Sequence, residues 1–337
     1  MNKCIVFTKP CVAEFLESEC KPISGTLVKV RTIFSTVSCG TERANIIGKD
    51  SVSCFTGEAA KFPLQLGYSS SGIVEEIGEK VTSVKVGDHV AMYWSTHSKY
   101  NVLDEKNVVK IIDDSISFEE AAMLHIANFP MAAVRKTRLE IGESALVMGL
   151  GILGQISVKL LKIAGAVPII AVDPINERRE EALKNGADFA FDPFDTDFAE
   201  KVKAVTGGGA NVCIEVTGVG AGLNGALDCM ARFGRVALLG CTRSSDFSIN
   251  YYQKVHGPGI SLIGAHTLAR PENESSPAYF THRDDMICSM KLIIGGRLSL
   301  VNMIKETHNP ENCNLVYNRL INDKSFPTVV QFDWRNI

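Results

Sequence analysis

A glycine-rich turn between an apolar segment and an amphipathic segment constrains the fold of this 337-residue chain more than any other feature. The turn contains Gly149, Gly151 and Gly154, and it follows residues 144–148 (SALVM), which are apolar after Ser144. Gly149 allows a tight turn, Gly151 lets the backbone approach a pyrophosphate, and Gly154 lets a helix pack close to a sheet. The pattern therefore predicts a strand, a turn and a helix that together bind a dinucleotide.

The predicted helix begins with Ile152 and Leu153, whose N–H groups and positive dipole end would face the phosphates. The next predicted strand ends at Asp173, nineteen positions after Gly154. A carboxylate there accepts hydrogen bonds from both adenosine ribose hydroxyls and repels a 2′-phosphate, which favours NAD over NADP. Arg178 and Arg179 follow closely and would suit a 2′-phosphate, so NADP stays the second choice. The alternative without a ligand is a structural turn with Asp173 capping the next helix.

Two loops downstream of the turn are further candidates for contact with the cofactor. One contains Thr217 and Gly218, and the other begins at Gly240 and continues through Cys241 and Thr242. Both follow predicted strands, at whose carboxyl ends the ligands of such sheets bind. Plain loop glycines are the alternative interpretation.

The chain changes in pattern at about residue 144. Before it, short β-rich segments are separated by Gly, Pro and Ser, at 4–8, 26–38, 72–77, 88–93, 100–103 and 108–112. After it, predicted strands at 145–149, 169–172, 189–191, 212–215, 236–239 and 261–263 alternate with helices at 152–164, 177–185, 196–205, 221–232 and 251–256. Such alternation requires crossover connections. We predict an α/β protein with a doubly wound, parallel, six-stranded Rossmann sheet and a separate β-rich domain.

The length of the chain also indicates two domains, because a single core stops growing at roughly 250–300 residues. We assign residues 118–267 to the dinucleotide-binding domain. Residues 1–117 and 268–337 form the β-rich domain, since a helix at 283–294 and a strand at 328–332 are expected to return to it. A substrate cleft between the two domains is the natural expectation.

Composition excludes several classes of partner. Lys and Arg number 35 against 38 Asp and Glu, which leaves no excess charge for nucleic acid or an anionic membrane. The apolar runs are far shorter than the roughly 20 residues of a membrane helix, and the N-terminus has the pattern of a strand, not of an export signal. The ten cysteines are scattered without a CxxC pair, which favours a reducing cytoplasm.

Six segments along the chain carry a family resemblance. They are 37–42 (VSCGTE), 66–75 (LGYSSSGIVE), 86–90 (VGDHV), 120–122 (EAA), 147–154 (VMGLGILG) and 215–218 (EVTG). In this order they resemble the medium-chain, zinc-type alcohol dehydrogenase superfamily. The resemblance implies a GroES-like catalytic domain, an NAD(P)-dependent oxidoreductase and a homodimer or homotetramer. The implied substrate is a small hydroxylated or carbonyl compound, a polyol or sugar derivative.

The sequence departs from this family at the expected zinc ligands. Cys39 is present, but the Gly-His-Glu segment is replaced by Gly67, Tyr68 and Ser69, and Ile126 stands where a later Cys is common. The structural zinc lobe expected near 95–110 contains no cysteine. A zinc site normally needs three protein ligands, so neither a catalytic nor a structural zinc is expected. The pattern is similar to the zinc-free branch that contains bacteriochlorophyllide-type dehydrogenases.

Loss of zinc removes the Lewis acid that would stabilise a developing alkoxide. The residues at positions equivalent to the family's catalytic groups are Tyr68 and Thr41, which we expect to polarise the substrate oxygen. His125 or Glu42 would then accept the proton. For each there is a structural alternative: packing for Tyr68, a turn or cap for Thr41 and Glu42, and an ordinary helix residue for His125.

Two other functions are compatible with the same sequence. A zinc-free enoyl or quinone reductase of the same superfamily needs no metal, although Asp173 weighs against it because those reductases usually use NADPH. A catalytically inactive dinucleotide-binding sensor would also lack the zinc ligands. The polar residues Tyr68 and Ser69 at the ligand positions favour retained catalysis.

Overall fold

The computed structural model describes residues 1–48, 53, 56–241, 243 and 247–337. Its strands are β1 (Asn2–Lys9), β2 (Val12–Ser18), β3 (Leu27–Thr36), β4 (Ser69–Ile77), β5 (His89–Tyr93), β6 (Tyr100–Asp104), β7 (Val108–Lys110), β8 (Ala145–Met148), β9 (Ile169–Val172), β10 (Phe189–Phe191), β11 (Ala210–Glu215), β12 (Met230–Leu238), β13 (Ser261–Gly264), β14 (Glu306–His308) and β15 (Val330–Asp333). Its α-helices are α1 (Cys39–Ile46), α2 (Phe118–Ala121), α3 (Leu124–Thr137), α4 (Ile152–Ala164), α5 (Asn176–Asn185), α6 (Phe198–Thr206), α7 (Gly220–Asp228), α8 (His282–Ile294) and α9 (Cys313–Asn322). None of the helices described is long and apolar enough to cross a bilayer.

The chain divides into two compact units. Residues 1–126 and 286–337 form the first unit, and residues 127–285 form the second. The sequence-based boundaries lie earlier, at 117/118 and 267/268. The first difference arises because α2 packs on β3, β4 and β5. The second arises because buried Asp285 forms ion pairs with Arg135 and Arg270, which tie the segment after β13 to the second unit.

The second unit is built on a parallel sheet with the strand order β10-β9-β8-β11-β12-β13. This order is that of a doubly wound dinucleotide-binding fold, and it confirms the predicted α/β class with a six-stranded Rossmann sheet among the described residues. All four residues of β8 and of β9 are buried. Helices on the faces of a parallel sheet exclude water from both sides, so these strands are apolar throughout rather than alternating.

The first unit is β-rich. Its larger sheet has the order β14-β15-β3-β4-β5-β7, with β6 paired to β3, and β1 pairs with β2 in a separate hairpin. The C-terminal strand β15 runs antiparallel to β3, with Phe332 opposite Ser35. Tyr317 of α9, Phe332 and Trp334 are at most 2% exposed and form one core cluster with residues of β1. The tail is therefore part of this core.

Two predicted elements are wrong in part. The helix predicted at 221–232 ends at Asp228, and Met230 instead opens β12 by pairing with Ala210 of β11. Sheet pairing has overridden the good helix propensity of Met and Ala. The strand predicted at 26–38 ends at Thr36, and α1 begins at Cys39. Gly and Thr are poor helix formers, so α1 has little local signal in the sequence.

Candidate functional site

The glycine turn joins β8 to α4 at the sheet's carboxyl edge. Gly149 has φ +97°, a left-handed conformation that favours glycine. A Cβ on Gly154 would lie 1.9 Å from the carbonyl oxygen of Gly149, so no side chain fits there. Gly151 is the N-cap of α4, and a Cβ on it would meet nothing within 4 Å. Open space therefore lies in front of a helix N-terminus, a geometry suited to an anionic ligand.

The first turn of α4 presents the remaining predicted residues of this segment. Ile152 is 7% exposed and packs into the unit, whereas Leu153 is half-buried. The side chain of Gln155 donates to the carbonyl oxygen of Arg178 at 2.8 Å and accepts from Asn185 at 2.9 Å. These bonds fix α4 against α5, so the helix N-terminus is held at a defined position.

Asp173 follows β9 and lies beside the turn. Its Oδ2 accepts a hydrogen bond from the backbone N–H of Leu150 at 2.8 Å, and its Oδ1 accepts from Ile175 at 2.9 Å. Arg178 Nη1 lies 3.8 Å from the same carboxylate. Arg179 bonds to Asp192 at 3.0 Å, so Arg178 is the arginine placed next to the Asp173 carboxylate.

The two loops after β11 and β12 are close to the same turn. A Cβ on Gly149 would be 3.1 Å from Cγ2 of Thr217, and a Cβ on Gly240 would be 2.5 Å from the backbone nitrogen of Gly218. The backbone N–H of Thr217 donates to buried Glu215 at 2.8 Å. The structure thus brings Gly149, Thr217, Gly218 and Gly240 together, as their positions at strand ends predict. Thr242 lies outside the described residues.

Glu215, at the end of β11, has a carboxyl group whose pKa is raised by burial, with hydrogen bonds from Thr217 opposing this shift. The Thr217 hydroxyl also donates to the same carboxylate oxygen. Glu215 therefore holds the Thr217 side chain in one orientation at the sheet edge. The sequence pattern at 215–218 does not predict this role for Glu215.

In the first unit, Tyr68 lies in an aromatic cluster. Its ring is perpendicular to that of His125, with centroids 5.5 Å apart, and the Trp94 ring lies 4.8 Å from His125 and 6.0 Å from Tyr68. Trp94 donates from its backbone to the Tyr68 carbonyl at 3.0 Å, has φ +59° and is 38% exposed. A bulky residue with positive φ is strained, and such strain concentrates at functional sites.

Tyr68 also forms a hydrogen bond that the sequence does not predict. Its Oη is bonded to Oγ of Ser38, the N-cap residue of α1. An N-cap serine normally bonds to the backbone of its own helix, yet the Ser38 side chain makes no such bond. A serine before a helix carries a signal for capping, but nothing in the sequence connects it with a tyrosine thirty residues away.

Glu42 lies in the interior of the first unit and is 1% exposed. Its Oε1 accepts from the backbone N–H of Ser38 at 2.7 Å, its Oε2 accepts from the Tyr317 hydroxyl at 2.6 Å, and His97 Nε2 lies 3.2 Å from Oε1. Burial, followed by the neighbouring Glu42 carboxylate, raises the pKa of Tyr317 well above its ordinary value. This arrangement favours the turn-or-cap interpretation of Glu42 over that of proton acceptor.

Thr41 lies on α1, where its carbonyl oxygen accepts from Asn45 Nδ2 at 2.8 Å. Its side chain is half-buried. The thiol of Cys39 lies 3.7 Å from the carbonyl oxygen of Pro327. Among the residues with described positions, no three His, Cys, Asp or Glu side chains are grouped so as to hold a metal ion.

Comparison with known proteins finds family models that match residues in both units. The family described as "Alcohol dehydrogenase GroES-like domain" matches residues 35–125, and the one described as "Zinc-binding dehydrogenase" matches residues 153–278. D-guloside 3-dehydrogenase of Escherichia coli (strain K12) is 30% identical over 321 residues, which cover 90% of this chain and 91% of that protein.

Two solved structures share the fold over nearly the whole chain. The crystal structure of 2R,3R-butanediol dehydrogenase from Bacillus subtilis has a TM-score of 0.82 at 23% identity and covers 99% of each chain. The NADH complex of a short chain alcohol dehydrogenase from E. coli CFT073 has a TM-score of 0.83 at 20% identity and covers 98% of this chain and 99% of that one. The predicted combination of a GroES-like domain with a Rossmann sheet is thus confirmed.

Proposed function

Because this chain belongs to the medium-chain, zinc-type alcohol dehydrogenase superfamily and is an oxidoreductase, we propose that it oxidises a secondary hydroxyl of a sugar derivative or polyol with NAD. We further propose that this oxidation takes place without catalytic zinc. The observation that carries the proposal is the hydrogen bond of Tyr68 with Ser38, at the position where the family has a zinc-binding His.

The dinucleotide cofactor fits the residues of the second unit. The turn before α4 leaves open space at Gly151, where a Cβ would meet nothing within 4 Å, while Gly149 has positive φ and Gly154 admits no Cβ. When bound, the cofactor would supply the carbon that takes up the hydride. Asp173 would accept hydrogen bonds from the adenosine ribose and, by its charge, disfavour a 2′-phosphate. Arg178 is the group that would support NADP in its place.

Zinc does not fit the residues at the family's ligand positions. A zinc site needs sulfur, nitrogen or carboxylate donors in a set of at least three. Cys39 supplies one thiol, Tyr68 supplies a phenol that is already bonded to Ser38, and Ile126 supplies no donor atom. We therefore derive no step that uses a metal.

The chemistry required of the protein is proton handling. When the carbinol C–H bond breaks, its electron pair leaves with the hydrogen as hydride, the O–H proton leaves to a base, and a carbonyl forms. Tyr68 Oη would donate a hydrogen bond to the oxygen as negative charge develops there. Thr41 is a second hydroxyl for this task, and His125, whose ring packs against Tyr68, is the proposed proton acceptor.

The proposed substrate class is based on relatives. A protein similar over 90% of this chain is named for oxidation of a D-guloside, and a structural neighbour is named for a butanediol. Both names describe compounds with hydroxyl groups on adjacent carbons. An exposed tryptophan beside Tyr68 would suit the apolar face of a sugar ring.

The proposal is tested by measuring NADH formation with NAD⁺, or NADPH formation with NADP⁺, from methyl D-gulopyranoside, sorbitol and 2R,3R-butanediol, before and after dialysis against a chelator. We expect oxidation of at least one compound with NAD⁺, at a rate that neither chelation nor added Zn²⁺ changes. Tyr68→Phe should abolish most turnover, whereas Cys39→Ala should keep it. A rate that falls on chelation, returns with zinc and is absent in Cys39→Ala would show a zinc enzyme.

Two further arms of the same assay distinguish the other functions. Reduction of a quinone or an enone with NADPH, without alcohol oxidation, would indicate a reductase. Binding of NADH with no turnover of any compound would indicate a protein that only senses the dinucleotide.

A further inference from the structure

The hydroxyl of Ser38 bonds to a distant tyrosine instead of capping the helix that Ser38 precedes. Ser38 precedes α1 and is 5% exposed. In this position a serine side chain commonly accepts a hydrogen bond from the second or third N–H of the helix. Here Oγ bonds instead to Oη of Tyr68. A departure from a local rule of this kind is typical of a functional site.

A buried network fixes the position of Ser38. Its backbone N–H donates to Glu42 at 2.7 Å, and Glu42 is held in turn by Tyr317 at 2.6 Å. His97 lies 3.2 Å from the same carboxylate and 2.8 Å from Ser35 through its other ring nitrogen. The hydroxyl of Ser38 is thus attached to a rigid interior rather than to a flexible loop.

The geometry points to Ser38 as a positioning residue for Tyr68, which aligns the phenol and strengthens it as a hydrogen-bond donor to the substrate oxygen. This inference rests on the proposed function. With the Ser38 O–H donating to the phenol oxygen, the Tyr68 O–H would donate to the substrate oxygen. Hydrogen bonds in such a chain polarise one another. Two hydroxyls in sequence would then supply part of the stabilisation that a Lewis acid gives to an alkoxide.

Ser38 is a better candidate for positioning Tyr68 than the other polar groups near Tyr68. Glu42 is enclosed by its own partners, and the Cys39 thiol lies near backbone carbonyl groups. Ser38 is the residue whose side chain joins the buried network to the proposed donor. Its effect on the reaction must therefore pass through Tyr68.

The test compares Ser38→Ala, Ser38→Thr, Tyr68→Phe and the double variant in the oxidation of methyl D-gulopyranoside with NAD⁺. We expect Ser38→Ala to lower kcat about 10- to 100-fold, less than or equal to the loss of a direct donor, with the KM for NAD⁺ unchanged. Ser38→Thr, which keeps the hydroxyl, should restore most of the rate. The double variant should be no slower than Tyr68→Phe, because coupled residues are not additive.

Ser71→Ala is the matched control. Ser71 is fully buried in the same unit, and its hydroxyl donates to the carbonyl oxygen of Phe118 at 2.6 Å. Its removal should lower the melting temperature by a similar amount but leave kcat unchanged. A spectroscopic readout needs no substrate: in protein labelled with ¹³C at tyrosine Cζ, the Tyr68 resonance should shift in Ser38→Ala and not in Ser71→Ala.

The outcomes separate this inference from the proposed function. A wild-type enzyme that is active, with Tyr68→Phe inactive and Ser38→Ala at the full rate, overturns the role of Ser38 alone. An unchanged Tyr68 resonance in Ser38→Ala overturns it as well. A double variant much slower than Tyr68→Phe would place Ser38 on a separate path. A wild-type protein without dehydrogenase activity removes the proposed function and this inference together.

Discussion

The Oδ2 atom of Asp173 accepts a hydrogen bond from the backbone N–H of Leu150 at 2.8 Å. This bond joins the end of β9 to the middle of the glycine turn, so the carboxylate has a structural role besides the proposed contact with ribose. Arg178 lies 3.8 Å from the same oxygen atom. We therefore expect the choice between NAD and NADP to depend on these two opposite charges, which face each other in the structure.

Asp173→Asn is expected to reverse the cofactor preference. The amide oxygen can still accept from Leu150, so the turn should persist, but the charge that opposes a 2′-phosphate is lost. Loss of charged hydrogen bonds to ribose, worth about 1.5–3 kcal/mol, should weaken NADH binding about 10- to 100-fold. Calorimetric titration with NADH and NADPH measures both affinities. Arg178→Ala is the matched variant and should weaken NADPH only; equal losses for both cofactors would contradict this account.

Gly151→Ala and Gly154→Ala should impair different properties: the first should weaken NADH binding, and the second should lower the stability of the fold. At Gly154 the new methyl group would lie 1.9 Å from the Gly149 carbonyl oxygen, so the backbone must move. Overpacking of this kind costs about 1–3 kcal/mol or more, and we expect a clear loss in the free energy of unfolding. At Gly151 the methyl group meets nothing within 4 Å. That variant should keep its stability in urea titration and lose NADH affinity.

Retained NADH affinity in Gly151→Ala would show that the pyrophosphate does not approach this residue. Equal stability of the two variants would contradict the close packing of α4 on the turn.

The glycine turn and the Ser38–Tyr68 pair differ in how far they could be predicted. The turn is encoded within six residues, and Asp173 follows at a fixed spacing, so both are accessible from local pattern. Ser38 and Tyr68 are thirty residues apart, and Glu42 and Tyr317 are 275 apart. Contacts of that kind depend on the assembled sheet and on the return of the C-terminal segment. For the same reason the sequence left Glu42 open as a proton acceptor.

Removal of the buried charge at Asp285 should strongly destabilise the protein. Asp285 is 0% exposed and bonds to Arg135 at 2.9 Å and to Arg270 at 3.2 Å, while burial raises its pKa against the effect of both arginines. Asp285→Asn would leave two guanidinium groups without their anion, at a cost of about 3–5 kcal/mol. Chemical denaturation measures this loss. As control, Asp197→Asn breaks the exposed pair with Lys201, and should leave the free energy of unfolding nearly unchanged because water and salt screen this pair.

The stability of the protein should fall as the pH drops below about 6.5, in part because of His282. Burial, followed by the nearby Arg270, lowers the pKa of His282 to about 3. Between these two values the unfolded chain binds a proton that the folded chain does not, so stability is lost by up to about 1.4 kcal/mol per pH unit. His282→Gln cannot titrate, and its urea-unfolding free energy should depend less steeply on pH from 6 to 4. Parallel profiles for the two proteins would contradict the depressed pKa.

The family resemblance predicts a homodimer or homotetramer, and we expect the copies to pair through an edge strand of the parallel sheet. Strand β13 ends the parallel sheet, and its Leu262 is 40% exposed. An apolar edge strand of this kind is prone to pair with another chain unless it is covered. We expect light scattering after gel filtration to give a dimer or larger species. Leu262→Lys should shift it toward the monomer, because a charge on each edge opposes pairing. Leu315→Lys, on the exposed side of α9 in the other unit, is the control and should leave the oligomeric state unchanged.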